Sequence, residues 1–84
     1  MNKKKLLAKI LVSTKNIKFN DFELLLKGFG FGLARINGSH YIYNRDDIPE
    51  IINIQNKKGL ISSYQVKQFL ALIEKYNLTL DKEE

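Results

Sequence analysis

The chain is 84 residues long, so it can form one domain with a small hydrophobic core. Its hydrophobic share of 44% and charged share of 27% are typical of a soluble globular protein rather than a disordered one. It has no cysteine, which excludes a disulfide framework and a thiolate metal site. The apolar run at 6–12 is too short for a membrane span or a signal peptide, and a lysine interrupts it. We therefore expect a single cytoplasmic domain over 1–84 that does not bind a membrane.

The positive charge is concentrated in the first 20 residues. The net charge is +5, and residues 1–20 carry six lysines and no acid, whereas residues 21–84 carry eight basic and nine acidic side chains. This basic arm (residues 1–20) either binds the phosphates of a nucleic acid or is the solvated face of a helix. The composition leaves both interpretations open.

Two helices are predicted in the first third of the chain. The first covers about 2–14, with apolar residues at helical spacing opposite its lysines. The second starts at Asn20, which can form a capping box with Glu23, and a hydrophobic staple is expected between Phe19 and Leu24. Gly30 is predicted to end it. The apolar stripes are Leu6, Leu7, Ile10 and Leu11 in the first helix and Phe22, Leu25, Leu26 and Phe29 in the second.

A β-hairpin is predicted next. Segments 31–36 and 39–44 flank Asn37-Gly38, a dipeptide that favours a type I′ turn because both of its positions accept a positive φ. In that register Leu33 and Ile42 point to the core. The predicted cross-strand pairs are Ile36 with Ser39, Arg35 with His40, Ala34 with Tyr41 and Leu33 with Ile42.

A third strand and a last helix complete the prediction. The strand covers 50–55, after a break at Pro49, and a loop follows at 56–59. The tail 81–84 is predicted to be disordered. The last helix is expected from about Ser62, which has capping-box spacing to Gln65, as far as Asn77. The order α-α-β-β-β-α favours an α+β fold with helices packed on a three-stranded antiparallel sheet.

His40 is the strongest candidate for a catalytic residue. It is the one histidine in the sequence, so a zinc site of the usual kind is excluded, and neither a phosphate-binding glycine loop nor a nucleophile elbow is present. It follows a predicted tight turn and faces Arg35, whose charge could hold a phosphate. Three side chains near it in the sequence can hydrogen-bond to a substrate or stack on a base: Ser39, Tyr41 and Tyr43. The two tyrosines are also typical packing residues of a strand.

This set of side chains suits RNA cleavage without a metal ion. A neutral imidazole takes the proton of a ribose 2′-hydroxyl, the oxygen attacks the adjacent phosphorus, and cations stabilise the charge that develops. DNA lacks that hydroxyl, so the chemistry selects RNA. The pattern alone leaves a surface histidine without a role as the other interpretation, and it does not identify a second acid or base.

Several short segments of the chain together match a known family in order and spacing. The segments are Gly30-Phe31, Arg35, Gly38-Ser39-His40, Asn53-Ile54-Gln55, Tyr64-Gln65-Val66 and Gln68-Phe69. They resemble the HicA-type toxins of bacterial HicA/HicB toxin–antitoxin pairs. The likeness extends from about residue 3 to residue 78, including a leading helix that one subgroup has.

The resemblance implies a double-stranded-RNA-binding-like fold over about 19–78. It also implies an mRNA endonuclease (an mRNA interferase) that stops translation, with His40 as its catalytic residue. From the side chains around His40 we expect this activity to need no cofactor or metal. A HicB-like antitoxin would bind the toxin and cover that site.

The expected RNA contacts are Arg35, Ser39, Lys57 and Lys58. In the subgroup, the entry to the last helix usually has the form Gly-Lys-x-Lys-Pro-Tyr-Gln, whereas residues 59–65 here are Gly-Leu-Ile-Ser-Ser-Tyr-Gln. Each lost cation weakens phosphate binding. Either Lys57 and Lys58 compensate for this loss, or the chain is a weak or differently specialised nuclease.

Two other functions stay open at this point. A non-catalytic RNA-binding module would bind structured RNA tightly, in a salt-dependent manner, and leave it intact. A degenerate toxin that retains only antitoxin binding would form a stable complex with the product of a neighbouring gene and show no affinity for RNA.

Overall fold

A computed structural model describes residues 2–80, where three helices and five strands follow one another along the chain. The elements are α1 Lys3–Val12, β1 Ile17–Lys18, α2 Phe19–Gly28, β2 Gly32–Asn37, β3 His40–Arg45, β4 Ile48–Gln55, β5 Leu60–Ile61 and α3 Ser63–Tyr76. Strands β2, β3 and β4 form an antiparallel sheet in that order, and β1 pairs with β5 in a separate small sheet. The predicted α+β class and three-stranded antiparallel sheet are confirmed, whereas β1 and β5 were not predicted. The tail at 81–84 lies outside the described residues.

One hydrophobic core lies between the helices and one face of the main sheet. All three helices bury side chains in this core, together with residues of β3 and β4. Phe69 of α3 is fully buried at its centre, edge-on to three other phenylalanine rings at centroid distances of 5.3, 5.4 and 6.0 Å. Edge-to-face packing of this kind adds to the hydrophobic gain from burial. The three helices of residues 2–80 all pack on this face, and the opposite face of the sheet is called the outer face below.

The predicted end of α2 at Gly30 is confirmed. Gly30 has a φ of +87°, which a residue with a side chain rarely adopts. The N–H of Phe31 donates to the carbonyl of Leu26 at 3.0 Å, and the N–H of Gly30 donates to that of Lys27 at 3.0 Å. These two bonds form a Schellman motif, and the buried side chains of Phe31 and Leu26 supply its hydrophobic contact.

The predicted limits of the last helix are also confirmed. The Ser62 hydroxyl accepts a hydrogen bond from the N–H of Gln65 at 3.3 Å, so Ser62 is the N-cap of α3. Asn77 ends the helix with a φ of +51°, in the left-handed region that asparagine tolerates better than most residues.

The predicted start of α2 is wrong. The helix begins at Phe19, one residue before Asn20, and the N–H of Phe19 donates to the carbonyl of Gly59 at 2.9 Å. Glu23 accepts a hydrogen bond from the main sheet instead of completing a capping box, and Leu24 is 41% exposed instead of forming a staple. A contact with a distant turn has therefore replaced the local cap.

Two further boundaries differ from the prediction. Strand β4 starts at Ile48 and contains Pro49, which an edge strand tolerates because a missing N–H can face away from the neighbouring strand. Helix α1 is shorter than 2–14, and Leu11 near its end is 66% exposed rather than part of the buried stripe.

The predicted hairpin register is wrong by two residues. Gly38 and Ser39 form the turn, and Asn37 pairs with His40. Gly38 has a φ of +65° and neither neighbour has a positive φ, which fits a type II′ turn rather than type I′. Arg35 therefore faces Ile42 and not His40.

This register turns Tyr41 and Tyr43 toward the core. They face isoleucines of β4 on the helix side of the sheet, and Tyr43 is completely buried. Of the two predicted core positions, Leu33 is 43% exposed, whereas Ile42 is buried but lies on the outer face, outside the main core cluster. Because register decides which side chains are buried, the full burial of Tyr43 and the partial burial of Tyr41 outweigh the local preference of Asn37-Gly38 for its own turn.

Candidate active site

His40 is the first residue of β3, and its side chain lies on the outer face. Since Tyr41 and Tyr43 point into the core, the alternation along the strand places His40 and Ile42 on the opposite side. The histidine is exposed. A ligand can therefore reach the imidazole without any movement of the helices.

Asn53 of β4 holds the His40 ring. Its side-chain oxygen Oδ1 lies 3.0 Å from His40 Nδ1. The two residues are diagonal neighbours, because His40 pairs with Gln55 and Ile42 pairs with Asn53. An amide oxygen only accepts hydrogen bonds, so with Oδ1 facing the ring Nδ1 is the donor of this bond. Among residues 2–80 no group bonds to Nε2, which is left as an open proton acceptor.

Ser39 is held beside His40 by the same strand. The Gln55 side chain donates from Nε2 to the Ser39 hydroxyl at 3.0 Å. This bond ties the hairpin turn to the end of β4. It places a hydroxyl next to the imidazole in the chain, at the position predicted from the Gly38-Ser39-His40 segment.

Gln65 links this cluster to α3. Its Nε2 donates to the backbone carbonyl of Asn53 at 3.1 Å, and its Oε1 accepts from the backbone N–H of Gln55 at 3.4 Å. One side-chain amide thus pairs with the free edge of β4, much as the peptide group of another strand would. The strand segment that carries Asn53 and Gln55 is thereby fixed to a helix of the core.

Arg35 lies on the same face as His40, although the predicted direct pairing is wrong. It pairs with Ile42, two residues from His40, so the arginine and the histidine are diagonal neighbours. Diagonal positions are typically about 7–8 Å apart, within reach of a long side chain. Arg35 is exposed, and no carboxylate of the described chain forms a salt bridge with it.

Three lysines collect at the end of the sheet where His40 lies. Lys57 and Lys58 are exposed on the turn that follows β4, and β4 ends at Gln55, the partner of His40. Lys18 belongs to the same region, because it pairs with Leu60 just after that turn. Lys18 is one of the six lysines of residues 1–20, and its position here could not be predicted because it depends on the β1–β5 pairing.

The predicted base-stacking role of the tyrosines does not fit their positions. Tyr43 is fully buried and donates its hydroxyl hydrogen to Glu23, and burial raises its pKa above the usual range for tyrosine, with the Glu23 hydrogen bond adding to the effect. Tyr41 is half-buried against Phe19, at a ring centroid distance of 4.8 Å. Both are packing residues. Tyr64, at the start of α3, is 69% exposed and offers an aromatic ring on which a base could stack.

The residues alone did not indicate that Asn53, Gln55 or Gln65 belongs to the site. Asn53 and Gln55 entered only through the family resemblance, and Gln65 was predicted only as a capping-box residue of the last helix. A signal for the first two was present: they alternate with buried Ile52 and Ile54 and so had to lie on the outer face. Their distance from His40 along the chain concealed the contact.

No metal site or membrane-spanning helix is evident in the described part of the chain. Among residues 2–80, histidine, aspartate and glutamate side chains do not form a group of three that could hold a metal ion. Within the same range, each helix lacks the length or the apolar character needed to cross a membrane.

No protein-family model matches the chain, and neither a curated protein nor a solved structure is significantly similar to it.

Proposed function

We propose that this protein is a metal-independent mRNA endonuclease, the toxin of a bacterial toxin–antitoxin pair, with His40 as its general base. The observation that carries the proposal is the exposed His40 ring, whose Nδ1 is bonded to Asn53 at 3.0 Å while Nε2 stays open. A neutral imidazole in this state can take a proton from a bound hydroxyl.

The reaction begins at a ribose 2′-hydroxyl. His40 Nε2 removes its proton, the 2′-oxygen forms a bond to the adjacent phosphorus, and the bond from phosphorus to the 5′-oxygen breaks. The products are a 2′,3′-cyclic phosphate and a 5′-hydroxyl, and the 5′-oxygen takes a proton from the imidazolium or from water. Ser39 contributes a hydroxyl beside the ring that can hydrogen-bond to the substrate.

Cations around His40 support phosphate binding. Arg35 lies diagonally across the hairpin, and Lys18, Lys57 and Lys58 flank the adjoining turn. Positive groups placed before the reaction stabilise the charge that develops on the phosphate oxygens. Lys18 adds to the cations that compensate for the two lysines missing from the entry to α3.

The wider proposal follows the resemblance to the HicA-type toxins. The order α2-β2-β3-β4-α3, with the helices on one face, is compatible with a double-stranded-RNA-binding-like fold. The partner would be a HicB-like antitoxin that covers the outer face around His40, and the toxin would act on mRNA in the cytoplasm.

The proposal is tested by incubating the purified protein with RNA in a chelator. We expect cleavage by the parent and a loss of about 10²–10⁴-fold in His40→Ala, the usual contribution of a general base. Asn44→Ala, at another exposed polar residue of β3, is the matched control and should cleave normally. Equal cleavage by the parent and His40→Ala would refute the assignment, and RNA binding without cleavage would favour a binding module.

The toxin role needs a separate test in cells. Expression of the parent should arrest growth, co-expression of the neighbouring gene should restore it, and His40→Ala should have no effect on growth. Formation of a complex with the neighbouring protein without growth arrest would instead indicate a degenerate toxin.

A further inference from the structure

We propose that Asn53 is a positioning residue that fixes the tautomer of His40, and that Gln65 holds Asn53 in place for this purpose. The catalytic role of this contact rests on the proposed function, whereas the tautomer of His40 can be measured whether or not the protein cleaves RNA. The inference starts from the 3.0 Å contact between His40 Nδ1 and Asn53 Oδ1.

A neutral imidazole has two tautomers, and only the one with its lone pair on the exposed nitrogen Nε2 can take a proton from a bound substrate. With the proton on Nδ1, the lone pair is on Nε2, which is free. With the proton on Nε2, the lone pair would be on Nδ1, which faces Asn53. With its oxygen turned toward the ring, Asn53 can only accept, so this orientation of the amide selects the first tautomer and prepares the base for the 2′-hydroxyl.

Asn53 can perform this task because its own backbone is fixed. Strand β4 is at the edge of the sheet, where an unpaired segment could fray. The Gln65 amide bonds to the carbonyl of Asn53 and to the N–H of Gln55, which closes the edge at this point. Gln65 is in turn fixed by the Ser62 cap at the first turn of α3.

An amide also differs from a carboxylate in a useful way. Asn53 orients the ring without adding a negative charge, so it does not itself stabilise the imidazolium by a full ion pair. Replacing it by aspartate would retain an acceptor for Nδ1 and add a charge that favours the protonated ring. Asn53→Asp should therefore keep the tautomer and move the acid limb of the cleavage profile to higher pH.

The tautomer is measurable because the sequence contains one histidine. Protein labelled with ¹⁵N-histidine gives a single pair of ring nitrogen signals, assignable by their couplings to ring protons. We expect the parent, at a pH where the ring is neutral, to carry its proton on Nδ1. Asn53→Ala should show a mixture of both tautomers, and Asn44→Ala, the control, should match the parent. A proton on Nε2 in the parent, or an unchanged tautomer in Asn53→Ala, would overturn the inference.

Cleavage kinetics give the second readout. Outer hydrogen-bond partners of metal-bound histidines are typically worth about 10–100-fold, and we expect a similar fall in kcat for Asn53→Ala with KM nearly unchanged. Asn53→Asp should recover most of the rate at its own, higher pH optimum. A structural role alone would shift neither the tautomer nor the pH profile, so a rate loss without either shift would contradict the inference.

Failure of the positioning role and failure of the proposed function give different results. If the parent holds the Nδ1 proton through Asn53 but leaves RNA intact, the positioning contact is correct and the proposed function is wrong. If the parent and Asn53→Ala cleave RNA equally while His40→Ala does not, the proposed function stands and the positioning role is refuted.

Discussion

The hydrogen bond between Tyr43 and Glu23 anchors the strand that carries His40, and its removal is the most informative stability experiment. Tyr43 is fully buried, and its hydroxyl donates to a half-buried carboxylate of α2. Tyr43→Phe keeps the ring and leaves the Glu23 oxygen without its donor. A hydrogen bond to a charged group contributes about 1.5–3 kcal/mol to the free energy of unfolding. For a domain of this size, a loss of about 2 kcal/mol lowers Tm by about 8–16 °C.

Chemical and thermal denaturation of the parent and the variant would measure this loss. Tyr64→Phe, which removes a hydroxyl from an exposed tyrosine, is the control and should change stability little. In a Glu23→Ala background, Tyr43→Phe should cost much less, because the partner is already missing. The reasoning fails if Tyr43→Phe is as stable as the parent, or if its cost is the same in both backgrounds.

The same contact predicts how stability depends on alkaline pH. Burial and the Glu23 hydrogen bond raise the pKa of Tyr43 in the folded protein above its value in the unfolded chain. The folded state therefore holds a proton that the unfolded state releases, and stability must fall as pH rises. The contribution is complete below about pH 10, the ordinary pKa of tyrosine, and is lost progressively above it. The free energy of unfolding of Tyr43→Phe should decline less steeply above pH 10 than that of the parent.

Three further changes test other parts of the structure. Gly30→Ala forces a residue with a side chain into a φ of +87°, so urea denaturation should show a loss of about 1–2 kcal/mol, and Gly30→Asn should lose less. Replacing Lys57 and Lys58 together by alanine should weaken RNA binding and reduce the slope of log affinity against log salt, by about 0.7 for each lost phosphate contact to a single strand. An unchanged slope would show that neither lysine contacts a phosphate of the RNA. The hydrogen bonds from Lys75 and then Tyr76 lower the pKa of Glu50, so this carboxylate stabilises the fold above its unfolded pKa and ceases to do so as the pH falls through the lowered value. Glu50→Gln should therefore lose less stability than the parent during acid titration, and identical titration curves would contradict that assignment.

The ends of helices could be predicted from the sequence where they depend on residues that are close together in the chain. Ser62 caps α3 through Gln65, and Gly30 ends α2 because its backbone needs a positive φ. In both cases the residues concerned lie within a few positions of one another. For the same reason, the order of the helices and main strands could be predicted from apolar spacing and turn residues.

Features that depend on contacts between residues far apart in the chain could not be predicted. The hairpin register depends on the burial of Tyr43 beneath α2, and the start of α2 depends on the bond between Phe19 and the carbonyl of Gly59. His40 was found as a candidate because of its residue type and its place after a turn. Its partner Asn53 lies 13 residues away, and the contact arises from the pairing of β3 with β4, which single-residue preferences do not encode.

The central claim is that His40 takes a proton from a ribose 2′-hydroxyl, and one substrate pair tests it most directly. After the main cleavage site of a short RNA has been mapped, the same RNA is made with a single 2′-deoxynucleotide on the 5′ side of that bond. We expect cleavage of the first RNA to a 2′,3′-cyclic phosphate and no cleavage of the second at that bond, with similar binding of both. Cleavage of the deoxy-substituted bond at an undiminished rate would contradict it.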